Sequence, residues 1–598
     1  MLSEEHETTS KVRLSRRRML QMAAGAGALS LASSLLAACG GDDDDDDSDQ
    51  ETSGGDSTDA PTATAAAEGD EPEETAAEDD DSEEDADSGT EEDDGGTDGG
   101  EATGGDAPGV MGGTGRVALY SEPPTLDSSW TTAIVVLVPS QHVFEYLFAW
   151  DSAWDIQPCL VDSFEIAADG LTYTFQLREG IKFHNGDEMV ADDIVKCFNR
   201  WGQLVGEGIA AYESITDVVA VDDYTVEISL SKPFSPLLAY LTGPGGGMMV
   251  MPGEIAEAAG TERLEEYVGT GPYSFVEHIP DRHILLERFE DYSPREEAPD
   301  AYAGRRTAYF EELEFITVPD AAARIAGVEA GDYHWAEEVT RDEHERLQDS
   351  SDVEALVIKP LRFMGIIFNK AQGPMADPVL RQAALYAFNH EEIMAAAFGP
   401  PDFWRLQPSL MPPESVWFTE VGAEFYNPYD PDRARELVEQ SAYNGETVRW
   451  MGPSDREDYF AVALTGVQHL QDVGINAELV SMDWGSVVER RTNPEEYEIF
   501  NTGFSFNPEP TTLSFIPANW PGWWESEAKE EILDRIMTAT DFDERFAIWE
   551  EFQQLYFEEV PAIRVGDFFG LSIFRSNLKG EALPVSSFPI FWNVWLED

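Results

Sequence analysis

The chain has 598 residues, with 118 Asp and Glu against 37 Lys and Arg and a formal net charge of −81. Residues 40–113 hold 30 of the carboxylates and residues 1–39 sum to +2, which leaves −53 on residues 114–598. So acidic a chain disfavours nucleic acid and anionic lipid as partners and resembles the solvated surface of a halophile protein.

The N-terminus reads as an export signal. Ser15-Arg16-Arg17-Arg18-Met19-Leu20 matches a twin-arginine motif, and Met19 to Ala38 form an apolar run rich in Ala and Gly. Leu36-Ala37-Ala38-Cys39 has the form of a lipobox, with cleavage before a lipid-carrying Cys39. A short apolar core ending in small residues fits a cleavable signal over 1–38. The alternative is an uncleaved anchor, because about 20 apolar residues span a bilayer. Either way the rest of the chain lies outside the cytoplasm.

Residues 39–113 read as a lipid-anchored linker, disordered and acidic, with no Lys or Arg between Arg18 and Arg116. Too few apolar side chains are present to offset the entropy of ordering. A flexible chain of this length spans on the order of 50 Å, and self-repulsion extends it. Asp42–Asp47 is a solvated spacer rather than a calcium loop, since it lacks the Gly turn and terminal Glu.

The remaining body exceeds the ~250–300 residues that one core sustains, so two or three domains are expected. Strand-like and helix-like segments alternate, which argues α/β. From Ala168 to Trp201 the pattern is dense. After the Asp169-Gly170 turn, Leu171, Tyr173, Phe175 and Leu177 alternate with polar residues as a half-buried strand does. Ile181 to His184 are expected as a short partner strand closing at Asn185-Gly186. Asp192 and Asp193 then open a helix that buries Ile194, Phe198 and Trp201. Further along, Asp377-Pro378 and Asp430-Pro431 each pair an N-cap acceptor with proline at the first helical position. Asp541 with Glu544 has the form of a capping box, and Gly474 ends a helix before a strand.

Catalytic and metal signals are missing from the sequence. The nine histidines show no H-E-x-x-H spacing, and no G-x-S-x-G elbow occurs. The glycine-rich turn Gly243–Gly247 lacks the Lys-Ser/Thr of a phosphate loop. His184 reads as a packing histidine, and Cys159 with Cys197 as either a pair or two buried thiols. No cofactor and no metal are expected.

In identity, the Ala168–Trp201 segment closely resembles the signature region of the family 5 extracytoplasmic solute-binding proteins, the dipeptide- and oligopeptide-binding group of ABC importers. Pro123-Pro124-Thr125-Leu126-Asp127 resembles the family's first ligand-facing turn, and Val268-Gly269-Thr270-Gly271-Pro272-Tyr273 its V-G-T-G-P-Y motif. Leu285 to Tyr292, Ala330-Gly331-Asp332-Tyr333, Phe368-Asn369 through Asn389, Tyr429-Asp430-Pro431 and Gly474-Ile475 follow in the family's order. The resemblance implies a two-lobed, hinged periplasmic-binding-protein fold of class II type with an extra inserted subdomain. Lobe 1 would comprise 114–145, 268–360 and 565–598, with 146–267 inserted and 361–564 forming lobe 2. Crossings near Lys359–Phe363 and Pro561–Asp567 would make the hinge. It further implies a monomer that is no enzyme, with a peptide or other small solute as ligand and ABC permease and ATPase subunits as partners. An oligosaccharide or a metal chelate is the alternative ligand, and a secreted glycoside hydrolase the alternative class.

Peptide-binding relatives hold the ligand's amino group with an Asp in a D-x-x-[DE]-P stretch. The equivalent here is Phe506-Asn507-Pro508-Glu509-Pro510, so Phe506 stands at the anchor position. Losing that carboxylate removes a charge-assisted contact. Glu509 is the nearby substitute. Trp404, Trp484, Trp520 and Trp523 lie near the family's cleft, and Trp130 follows the first turn. These aromatic faces suit sugars, cations or apolar side chains. The signature segment itself is expected to lie away from the anchor.

Overall fold

The computed structural model describes residues 109–580, except 132 and 244, together with 588–597. The expected signal, Cys39 and most of the acidic linker fall outside the described residues. No helix among the described residues is long and apolar enough to cross a membrane.

The body is built on one mixed sheet. Its strands run in the order Ala477–Met482, Val448–Pro453, Ile499–Ser505, Val353–Phe368, Ala562–Arg575, Trp335–Ala336, Thr114–Leu119, Glu312–Thr317, His283–Arg288 and Tyr273–Ile279. Short Trp404–Arg405 pairs with Ala562–Arg575 as well. The two long strands at the middle are antiparallel, from Val353 opposite Arg575 to Ile367 opposite Ala562. Along this ribbon, Ile499–Ser505 pairs with Arg362–Phe368 at one end and Trp335–Ala336 with Ile573–Phe574 at the other. Between these ends the register breaks from Ile358 to Arg362, around the cis Lys359–Pro360 peptide and opposite Phe568–Gly570.

Alternation along the ribbon feeds two apolar layers. Met364, Ile366 and Phe368 enter one with Leu380, Phe388 and Trp450. Phe363 and Ile367 enter the other with Phe500, Phe504 and Trp549. That is the period-two geometry of a strand buried on both faces. At the far end, Val117, Phe315 and Trp335 share a core with Phe175, Ile194, Phe198 and Trp201 of the inserted region.

The inserted region carries its own four-stranded antiparallel sheet, in the order Val161–Ile166, Thr172–Leu177, Thr225–Leu230, Ile215–Asp222. In Thr172–Leu177, Tyr173, Phe175 and Leu177 point inward as their spacing predicts. Ile181–His184 corrects its expectation: the segment is a tight loop closed by a single Lys182–Glu188 bridge. Both edges of Thr172–Leu177 are already occupied by Val161–Ile166 and Thr225–Leu230, so no edge is left for it.

The helix caps follow their sequence signals. Asp377 accepts from the Val379 amide ahead of Pro378–Ala387, Asp430 from Arg433 ahead of Pro431–Gln440, and Asp541 from Glu544 ahead of Phe542–Glu559. Gly474, at φ +92°, turns the chain from the helix Glu457–Asp472 towards Ala477–Met482. Cys159 and Cys197 are free, buried thiols rather than a pair.

Candidate ligand-binding site

Strand Ile499–Ser505 delivers the chain to the loop that holds the expected anchor position. Phe506 is 6% exposed, and its ring lies 5.5 Å from that of Phe363. Its side chain is therefore part of an apolar wall. Glu509 is 3% exposed, and its two oxygens take the Arg545 guanidinium at 2.9 Å each. Thr511 Oγ donates to the same carboxylate at 2.8 Å. Arg545 is fixed in turn by the Ile536 carbonyl and lies over the Trp417 ring. The Glu509 charge is thus neutralised within the fold.

Trp520 and Trp523 share the apolar cluster of Phe506. Trp520 packs 5.6 Å from Phe504 with the Arg491 guanidinium over its ring, and Trp523 stacks on Tyr497. Trp484 packs against that cluster and also against the neighbouring apolar layer, where Trp404 lies. Trp404 pairs with Phe568 on the long ribbon, and Trp484 meets Tyr459 edge to face at 5.5 Å. Tyr459 in turn lies 6.4 Å from Phe568, so both half-buried tryptophans flank the region of the register break. Trp130, 46% exposed, stands on the first turn. Asp127 holds that turn from beneath, accepting from the Ser129 and Trp130 amides and pairing with buried Arg200 at 2.6 Å. The conspicuous Asp of the turn therefore ties it to the signature helix Ala191–Leu204.

Two groups of residues were not singled out by the sequence reading. The first sits where the parallel strands Thr114–Leu119 and Trp335–Ala336 end, the edge at which open α/β sheets present their ligand-binding groups. Glu337 is 7% exposed with one carboxylate oxygen unpartnered among the described residues. Burial pushes its carboxyl up to about 8, with the Glu338 charge adding to the effect. Tyr120 is pushed up to about 12 by burial and by Glu337 and Glu338, against the pull of Arg362 and Arg456.

The second group lines a small, open-mouthed cavity of about 20 Å³. Asn507, Pro508 and Thr512 of the anchor loop form one wall, and Trp150, Glu207 and Tyr240 of the inserted region form the other. The inserted region was expected to lie away from the anchor; instead it faces the anchor loop directly. Its glycine turn is held in place by the signature helix, whose Trp201 indole N–H donates to the Gly246 carbonyl at 2.9 Å. The only sequence signal for this wall is the run Gly243–Gly247.

His184 joins two segments of the fold. His184 accepts from the Gly269 amide and contacts the Gly271 carbonyl at 3.0 Å, joining the signature loop to the V-G-T-G-P-Y segment. Burial pushes its imidazole down to about 4. Among the described residues, no group of three or more His, Cys, Asp or Glu is placed to hold a metal ion.

Comparison with known proteins agrees with this architecture. Residues 155–524 match the family model described as bacterial extracellular solute-binding proteins, family 5 middle. A probable peptide ABC transporter periplasmic-binding protein of Sinorhizobium fredii is 26% identical over 498 residues, spanning 80% of this chain and 93% of that protein. The glutathione-binding protein of Escherichia coli (strain K12) is 26% identical over 487 residues, spanning 78% of this chain and 91% of that one. Among solved structures, the ABC transporter-associated periplasmic binding protein DppA of Helicobacter pylori, in complex with the peptide STSA, superposes with a TM-score of 0.68. It is 21% identical, and the match covers 82% of this chain and 99% of that one. The fold is that of the two-lobed periplasmic binding proteins. The chain belongs to family 5 of the bacterial extracellular solute-binding proteins, a family that binds solutes rather than transforming them.

Proposed function

We propose that this chain is the solute-capturing component of an ABC importer, taking a peptide or peptide-sized solute between two lobes and passing it to a membrane permease powered by ATPase subunits. The observation that carries this reading is the central ribbon. Two long strands bear one half of the sheet at each end, and their register breaks between the halves. A ribbon interrupted in this way is a natural place for closure, the usual motion of such binding proteins. The names of the Sinorhizobium and Helicobacter relatives support peptide as the solute class.

In this reading 114–145, 268–360 and 565–598 form lobe 1, with 146–267 inserted and 361–564 as lobe 2. Trp130, Trp404 and Trp484 offer the solute half-exposed aromatic faces. Phe506, Trp520 and Trp523 form the apolar wall behind them, and Glu509 holds the anchor loop through Arg545. Residues 1–38 are the export signal, lipid on Cys39 anchors a monomer to the outer face of the cytoplasmic membrane, and residues 40–113 tether it.

The test is native mass spectrometry of protein purified from its own host, followed by small-angle scattering before and after ligand removal. A released peptide-sized mass and an expansion on its loss support the proposal. Chemical conversion of a bound oligosaccharide would overturn it. Replacing Cys39 by Ala should release the chain from membranes.

A further inference from the structure

The cavity beside the anchor loop has an uncompensated charge. Two carboxylates line it, Glu509 and Glu207, and no Lys or Arg does. Glu509 is neutralised by Arg545. Glu207 forms no ion pair with any described residue, and burial pushes its carboxyl above the usual carboxylate range. Glu207 is half-buried, and a carboxylate without a cationic neighbour at such a position is open to meet a positive group.

The surroundings are shaped for that group. Trp150, which stacks on Trp154 at 6.1 Å, and Tyr240, which meets Phe234 edge to face, add aromatic rims to the lining. Tyr240 also bonds to Thr511 through its hydroxyl, so the two walls meet directly. The glycine turn makes room for the carboxylate. A Cβ on Gly246 would lie 2.6 Å from the Glu207 carboxyl carbon, a distance that side chains do not adopt. Trp201 fixes the Gly246 carbonyl, so the turn cannot simply withdraw.

We propose that Glu207, framed by Trp150 and Tyr240, binds the cationic group of the ligand, an ammonium or a guanidinium, from the wall opposite Asn507 and Pro508. This rests on the reading of the inter-lobe region as the solute site. It moves recognition of positive charge from the anchor loop to the inserted region.

The test is calorimetric titration of the full-length protein with paired probes. Ala-Ala-Ala amide against its N-acetyl form reports a terminal ammonium. N-acetyl-Ala-Arg-Ala amide against its citrulline counterpart reports a side-chain guanidinium. The cationic member of at least one pair should bind about tenfold tighter or better. Glu207→Gln should abolish that difference while keeping the wild-type melting temperature, and Glu207→Asp should keep part of it. Equal binding within both pairs, or a preference that survives Glu207→Gln, overturns the proposal. If no peptide binds, the peptide reading falls, and agmatine against its uncharged urea analogue decides the cation site. Agmatine binding that depends on Glu207 upholds the site, and binding no better than that of the urea analogue overturns it.

Discussion

Glu337 is the residue whose protonation most directly links the proposed cleft to stability. Its carboxyl is buried and pushed up to about 8, whereas in the unfolded chain it ionises near 4.5. Between those values the native state holds a proton that the unfolded state has released. Stability therefore falls as pH rises through this window, by at most roughly 1.4 kcal/mol per pH unit. Glu337→Gln keeps a neutral side chain at every pH and should remove that slope. In thermal melts from about pH 5 to pH 8, the variant should gain on wild type as pH rises; parallel curves would mean that Glu337 is ionised in the fold. Phe506 gives the complementary case. Restoring the family's acid with Phe506→Asp places a charge at a 6% exposed position beside Phe363. The loss of a buried aromatic alone costs about 3–5 kcal/mol, and the unpaired carboxylate adds to it. A large drop in melting temperature is expected, and an unchanged one would show that the position opens to solvent.

Elements whose signals are local were readable from the sequence. Asp377, Asp430 and Asp541 cap their helices because an N-cap needs only its own next few amides. Thr172–Leu177 alternates as expected because one face meets the core. Ile181–His184 failed as a strand for a non-local reason: its neighbour's two edges were taken by segments before and after it in the chain. The cavity wall was hidden in the same way, since Glu207 and Asn507 come together only through tertiary packing. Asp127 shows that a polar residue of a motif can serve the fold. It sits on the expected ligand-facing turn, yet its carboxylate is spent inward on Arg200, the Leu264 amide and the turn itself. Breaking a buried pair by removing one partner costs about 3–5 kcal/mol. Asp127→Asn should therefore lower the unfolding midpoint in denaturant sharply, and it should loosen amide protection in both the turn and the helix Ala191–Leu204. A loss confined to the turn would show that the pair does not join the two.

At the scale of the whole molecule, charge sets the conditions under which the body holds together. Residues 114–598 carry −53. Many of the few cations are already committed in pairs, among them Arg200–Asp127, Arg306–Glu145, Arg449–Glu498 and Arg545–Glu509. Salt acts on this surface in two opposing ways. It weakens exposed ion pairs such as Lys182–Asp291, each worth about 0–1 kcal/mol. It also screens repulsion among the excess carboxylates, with a screening length falling from ~10 Å at 0.1 M to ~3 Å at 1 M. Exposed pairs are limited by the small number of basic residues, whereas repulsion grows with the whole uncompensated charge, so repulsion should dominate. The melting temperature should rise by several degrees between low salt and about 1 M KCl, most steeply where screening first falls below the spacing of surface charges. KCl is the appropriate salt because sulfate also strengthens apolar burial and would mask the electrostatic effect. A melting temperature that falls with KCl would mean that the surface pairs outweigh the repulsion, and the acidic excess would then need a purpose other than solvation in salt.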